Sequence, residues 1–455
     1  MPDPADGAPL PDDPTRATLT DLAAAYRRGD VRPSEVTDAC LARVEPGPVW
    51  RTATADRARA AARAADRAFA AGVDLGPLQG IPLAVKDLFD MAGEVSAAGS
   101  AARLARGETA AVDAPVVARL DAAGAVLLGR THMPELAFSG LGLNPHVGTP
   151  DRVGGPGEVP GGSSTGSAVA VARGEAVAAL GSDTGGSVRI PAAFQGLVGL
   201  KTTDGALPND GVVPLSTTLD TVGPIARSLE DAWAVWRALA ARPPRPMPRT
   251  SAPLRLAAPP TVLREGLDAA VAAAFDAALA AVRSAGHAVD ATPIPTLADL
   301  HALYPRYGSF AAHEAWAIHR DLLETGRPPV DRRIAARIRA AEGRPSSDYV
   351  RLHRERDALR AALWRDLQET DALIAPTVAV RPPPLAPLER DDDAYVAANG
   401  AVLRNTTLVN LGGGPAVTLP LDGPAGIGLM VATAPGREGH ALAVAAAVRD
   451  ALAPA

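Results

Sequence analysis

An α/β layered architecture is what this 455-residue sequence predicts. Three observations point there. Short apolar runs that read as strands alternate with longer stretches of helical periodicity, the pattern of strands covered by helices. Hydrophobic residues make up 47% and charged residues 21%, a balance that suits a globular core rather than a disordered chain. No similarity recurs at a spacing of about 20–50 residues, so a solenoid is not expected.

The elements follow in order. The opening MPDPADGAPLPDDP is acidic and proline-rich, without the basic and apolar regions of a signal peptide. Residues 1–16 are therefore expected to be a flexible tail, and 17–455 a single domain. Residues 17–45 read as two amphipathic helices broken at GDVRPSE, the second starting at Ser34 or the proline before it, and 54–71 as a third. The run IPLAV (81–85) is a strand that delivers Lys86 at its end. A helix at about 113–123 feeds the strand AVLLG (125–129). Residues 139–166 hold nine glycines and four prolines and must be mostly loop. The small-residue run 165–173 suits a tightly packed helix, with a strand at about 176–181. Five prolines mark 241–253 as a linker internal to the fold. Beyond it come a strand at 254–258, helices at about 264–286, 309–325 and 346–370, and a strand at 372–378. PAVTLPL, GIGLMVA and a helix at about 438–452 close the chain.

Composition excludes several functions. A net charge of −6 leaves no basic face for non-specific nucleic-acid binding. No apolar run approaches the roughly 20 residues of a membrane span. The lone Cys40 rules out an internal disulfide or a cysteine metal cluster and fits the cytoplasm. Histidines are scattered; His313 and His319, six apart, do not share a helical face, and the DDD run at 391–393 reads as a solvated loop.

Only two of the 45 basic residues are lysine, Lys86 and Lys201. Arginine stays protonated, whereas a buried lysine can be neutral and act as a base. Each surviving lysine is thus a candidate for work that arginine cannot do. A second candidate is Gly162-Ser163-Ser164-Thr165-Gly166, which matches the G-x-S-x-G nucleophile elbow centred on Ser164. That esterase reading needs a strand just before the elbow, and GGPGEVPG is not one. His287, His301 and His440 follow downstream without a supporting pattern.

Lys86 in GIPLAVKDLF, Ser163 in PGGSSTGSA and Ser187 in GSDTGGSVRIPAAF, taken in that order, resemble the amidase signature family of serine hydrolases. The segments 135–150, 196–205, 216–231, 371–384 and the closing strands are similar to family segments as well, so the resemblance runs from about 17 to 450. It implies a three-layer α/β/α sandwich around a central mixed β-sheet. It also implies a triad with Ser187 as nucleophile, Ser163 as bridging serine and Lys86 as base, and a cis peptide bond before Ser163. The Ser163 hydroxyl would then reach both Ser187 and Lys86. These roles make chemical sense. A serine hydroxyl needs a neighbouring base, and a lysine stripped of water favours its neutral form. The run Thr184-Gly185-Gly186-Ser187 can turn successive N–H groups toward one point and so build an oxyanion hole. Gly162 and Ser164 flank the bridging serine in support, and Asp183 and Arg189 read as a structural pair that holds the turn. Lys201 reads as structural; Thr202 stands where the family usually has proline, and Thr165 where glycine or serine is commoner.

The expected reaction is hydrolysis of a carboxamide to a carboxylate and ammonia or an amine through a Ser187 acyl-enzyme, with no metal and no cofactor. The acyl pocket is expected between the 135–150 loop and the 300–350 region. The alternative is the glutamine-hydrolysing A subunit of a tRNA-dependent amidotransferase, whose glutamine-specific features are not recognised in 300–400. Expected partners are a small-molecule amide, and neither nucleic acid nor membrane. Assembly stays open between a lone chain, a homodimer and an amidotransferase component.

Overall fold

Alternation along the strands decides which way each side chain faces. The computed structural model describes residues 10–421 and 426–453. Among them, eleven strands form one sheet: β1 Trp50–Ala53, β2 Pro82–Lys86, β3 Val126–Thr131, β4 Ala178–Asp183, β5 Val198–Lys201, β6 Thr221–Ala226, β7 Arg255–Ala257, β8 Ala288–Asp290, β9 Ala372–Pro376, β10 Ala416–Pro420 and β11 Gly428–Ala432. Along β9 and β11, Ala372, Ile374, Leu429 and Val431 pack into one core, while Leu373, Ala375, Met430 and Ala432 pack into another. That period of two is the mark of strands covered on both faces. Helices supply the cover, and the fold is a three-layer α/β/α sandwich.

The strand order is β1-β3-β2-β4-β6-β5-β10-β11-β9-β7-β8. The sheet is mixed. β2 runs parallel to β3 and β4, β7 runs parallel to β8 and β9, and the remaining pairs are antiparallel. Every residue of β2, β3 and β4 is buried, as expected of parallel strands beneath helices on both sides. Val85 pairs with Leu180, so the carboxyl ends of β2 and β4 emerge side by side. In open α/β sheets that end is where ligand sites form. β6 returns antiparallel to β4 with Thr221 opposite Asp183, which sets Asp220 beside the residues that follow β4.

Helices fall close to the expected places, including Leu19–Arg28, Pro33–Leu41, Thr165–Arg173 and Glu438–Leu452. Three local differences have plain causes. The helix expected from about 264 begins at Ala269, because the Asp268 side chain caps it by accepting the Ala270 N–H. The strand expected at 176–181 runs to Asp183 and takes in Ser182. The 391–393 run is no solvated loop: Asp391 is the N-cap of a 21-residue helix, Asp392–Gly412, and accepts the N–H groups of Asp393 and Ala394. Of the expected tail, residues 1–9 lie outside the described residues, while Pro14–Arg16 form a 3-10 turn with Thr15 buried. The 241–253 stretch forms no strand or helix, and the strands on either side of it belong to one sheet. No described helix is long and apolar enough to cross a membrane.

Candidate active site

Lys86 ends β2 with its side chain fully buried. Its Nζ lies 2.8 Å from Ser163 Oγ and 2.8 Å from Ser182 Oγ. Burial pushes the lysine down to about 7, although Asp220 and Asp183 pull the other way. An ammonium beside two neutral hydroxyls and no adjoining carboxylate loses hydration without a direct ion-pair partner. Near neutral pH, Lys86 can therefore exist as a free amine able to accept a proton.

Ser163 sits in the turn that opens the helix Thr165–Arg173, and the Gly162–Ser163 bond is cis. The turn needs glycine at 162, since a Cβ there would meet Gly142 N at 2.9 Å and Ser139 O at 3.0 Å. Ser187 lies just before the short helix Arg189–Phe194. The two serine segments meet through the backbone, where the Ser164 N–H donates to the Ser187 carbonyl at 3.1 Å. Among the described residues the Ser187 hydroxyl has no hydrogen-bond partner; it lines a cavity of about 690 Å³. The expected hydrogen bond from Ser163 to Ser187 is thus not formed here. Catalytic hydrogen bonds are often long without substrate and tighten when it binds.

Ser164, the centre of the elbow motif, is turned away from any such task. Its hydroxyl donates to the Ser182 carbonyl at 3.3 Å and is fully buried against β4. That geometry removes the basis of the esterase reading.

The turn after β4 is held from two sides. Asp183 accepts the N–H groups of Gly186 at 2.8 Å and Val188 at 3.1 Å, and pairs with Arg189 through Nε and Nη2 at 3.0 and 2.9 Å. Burial alone would raise its pKa, but the guanidinium and the Asn410 amide outweigh burial and hold the carboxyl well below the usual range. From the other side, Thr406 Oγ1 donates to the Gly185 carbonyl at 2.6 Å. These contacts orient the peptide units. The Gly186 N–H, expected among the oxyanion donors, is taken by Asp183. The N–H groups of Thr184, Gly185 and Ser187 take no partner among the described residues. Gly186 has φ +131°, and a Cβ there would meet Thr406 Oγ1 at 2.2 Å, so only glycine lets the helix approach this closely. Thr184 is anchored by its hydroxyl, which donates to Asp220 Oδ1 at 2.5 Å. Burial pushes the Asp220 carboxyl up to about 6.

Sequence reasoning missed Ser182, Asp220 and the helix Asp392–Gly412. Ser182 stands inside the GSDTGGS stretch, yet its relevance depends on the parallel pairing of β2 and β4. Neither Asp220 nor Thr406 carries a sequence signal of its own. Lys201 is fully buried and makes no hydrogen bond to Lys86, Ser163 or Ser187; its Nζ donates to the carbonyls of Thr202 and Gly414 and pairs with Asp204 at 3.1 Å.

Comparison with known proteins now decides the family. A family model described as Amidase matches residues 35–442. The chain belongs to the amidase signature family. It is an amidohydrolase, and the match spans both serine segments and Lys86. The chain is similar to a 2-amino-5-chloromuconic acid deaminase of Comamonas testosteroni, at 38% identity over 91% of this chain and 92% of the relative. It is also similar to the A subunit of a glutamyl-tRNA(Gln) amidotransferase from Anaeromyxobacter sp. (strain K), at 40% identity over 64% of this chain and 61% of that protein. Among solved structures, one described as a crystal structure of amidase superposes with a TM-score of 0.87 and 31% identity, covering 96% of this chain and 100% of the other.

Proposed function

We propose that this amidase hydrolyses a carboxamide to a carboxylate and ammonia or an amine, by way of an acyl-enzyme on Ser187. The observation that carries the reading is the 2.8 Å contact between a fully buried Lys86 and Ser163, next to a serine that opens onto a large cavity. Neutral Lys86 takes the Ser163 proton as Ser163 takes that of Ser187, and Ser187 Oγ attacks the amide carbonyl. The Gly185 and Ser187 N–H groups stabilise the oxyanion, a contribution of about 3–4 kcal/mol per donor. The proton returns through Ser163 to the departing nitrogen. Water then attacks the ester by the same relay, releasing the acid and restoring Ser187. Ser182, the second hydroxyl on Lys86, positions the amine.

A second reading, release of ammonia from glutamine inside an amidotransferase, is favoured by the relatives of that name and uses the same residues. One preparation tests both. The chain purified alone should hydrolyse simple amides, and a serine-directed phosphonylating or sulfonylating reagent should label Ser187 by mass spectrometry. Activity that appears only with partner proteins favours the second reading. An adduct on Ser164 removes both.

A further inference from the structure

The cavity above Ser187 carries a charge that its own walls do not neutralise. Arg337, Arg344 and Arg404 line it, and no aspartate or glutamate does. Bulk composition does not explain this, since acidic residues outnumber basic ones, 51 to 45. Arg344 is exposed and faces Asp348 at 3.6 Å. The other two differ. Arg404 donates from Nε to Asn405 Oδ1 at 3.1 Å, while its Nη2 is buried without a partner. Arg337 makes no hydrogen bond or ion pair among the described residues, and its Nε is buried and unpartnered. Glu265 and Tyr395 are the acidic groups whose fields reach Arg404 and Arg337, without pairing with them.

A guanidinium stays protonated in proteins, so two of them with buried, unanswered N–H groups are costly unless something else answers them. Stacking does not account for the pair. The Arg337 guanidinium lies 4.4 Å from the centre of the Phe138 ring. A ring face offsets some of the charge but offers Nε no hydrogen-bond acceptor, and it leaves Arg404 unexplained. Much of the remaining wall is apolar, with Leu215, Leu219, Leu403 and Leu408. The helix that carries Arg404 is the one that grips the Gly185 carbonyl, which couples the charged wall to the reacting end.

We infer that the substrate is an amide whose acyl chain ends in a carboxylate, held by Arg337 and Arg404 while the apolar wall covers the chain and Ser187 meets the amide carbonyl. This inference rests on the amide-hydrolysis reading above. Guanidinium groups suit a planar carboxylate, which accepts several N–H donors at once.

The test compares kcat/KM for two series of primary amides across a range of chain lengths: neutral amides of monocarboxylic acids, and mono-amides of dicarboxylic acids of matching length. At the best length the charged substrate should exceed its neutral counterpart by about 30-fold or more, the effect of a charge paired in a desolvated site. Arg337→Gln and Arg404→Gln should each reduce that ratio by about tenfold or more, with partial recovery in the lysine variants and a melting temperature close to that of the wild type. A wild-type ratio near one, or a ratio that survives both substitutions, overturns the inference while leaving amide hydrolysis in place. Should the variants not fold, protection decides: dicarboxylates, and not neutral diamides, should shield wild-type Ser187 from the serine reagent. Equal shielding overturns the inference. Failure to hydrolyse either series, with Ser187 unlabelled, overturns the underlying reading instead.

Discussion

At the scale of single residues, the proposed chemistry rests on Lys86 and the two hydroxyls around it. A lysine whose buried position brings it to about 7 is half neutral near physiological pH, where an exposed lysine is almost wholly charged. The rate should therefore rise with pH through about 7 and level off above it, with the acid limb reporting protonation of Lys86. Asp220→Asn removes a charge that favours the ammonium, so this limb should move to lower pH; its disappearance would assign it to Asp220 instead. Lys86→Arg should be about as inactive as Lys86→Ala, a loss on the order of 10²–10⁴-fold, because guanidinium cannot give up its proton. Near-normal turnover in the arginine variant would count against a base role. The same shift bears on stability. The unfolded chain holds this proton up to about pH 10.5 and the folded one only to about 7, so Lys86 makes the fold gain stability as pH rises between those values.

At the scale of elements, the helix Asp392–Gly412 matters most. It seats Thr406 on the Gly185 carbonyl, Asn410 on Asp183 and Arg404 on the cavity wall. Its first turn depends on Asp391, whose carboxylate accepts two N–H groups that would otherwise lack a partner in the helix. Asp391→Ala should cost about 1 kcal/mol, read as a lower urea midpoint at unchanged slope. An unchanged midpoint would mean that tertiary packing alone holds this end. Arg332 and Arg333 also pair with Asp392; the Arg332 contact is exposed and contributes little.

For the whole molecule, the Asp183–Arg189 pair joins three distant segments. Arg189 Nη2 reaches the Thr406 carbonyl at 3.2 Å and Asn410 Oδ1 at 2.5 Å, and Nη1 lies 3.1 Å from Met430 Sδ on β11. Both members of the pair are fully buried. Removing one leaves the other charge without compensation, so Arg189→Leu should destabilise the fold by about 3–5 kcal/mol at neutral pH. The sign follows from the depressed carboxyl of Asp183. Its contribution is present above the ordinary aspartate pKa of about 3.9 and is lost as pH falls below that value. The cost of Arg189→Leu should therefore shrink in acid, as denaturation curves at pH 7 and pH 3 would show; an equal cost at both would assign the pair no electrostatic role.

Read alone, the sequence determined the strands and helices that rest on strong local patterning, from Pro82–Lys86 to Glu438–Leu452, and drew attention to Lys86, Ser163 and Ser187. Apolar runs, caps and glycine-rich turns act over a few residues, and that makes them legible in order along the chain. Other features were decided only in three dimensions. Ser182 meets Lys86 because β2 and β4 run parallel in one register, and Asp220 meets Thr184 because β6 returns against β4. The Gly186 N–H, expected from the sequence as an oxyanion donor, is held by Asp183, while a helix more than 200 residues further on holds the Gly185 carbonyl. Arg337 and Arg404 line one cavity although 67 positions separate them in the sequence. Strand register, peptide orientation and burial of charge depend on partners far along the chain, and a short sequence pattern carries no record of those distances.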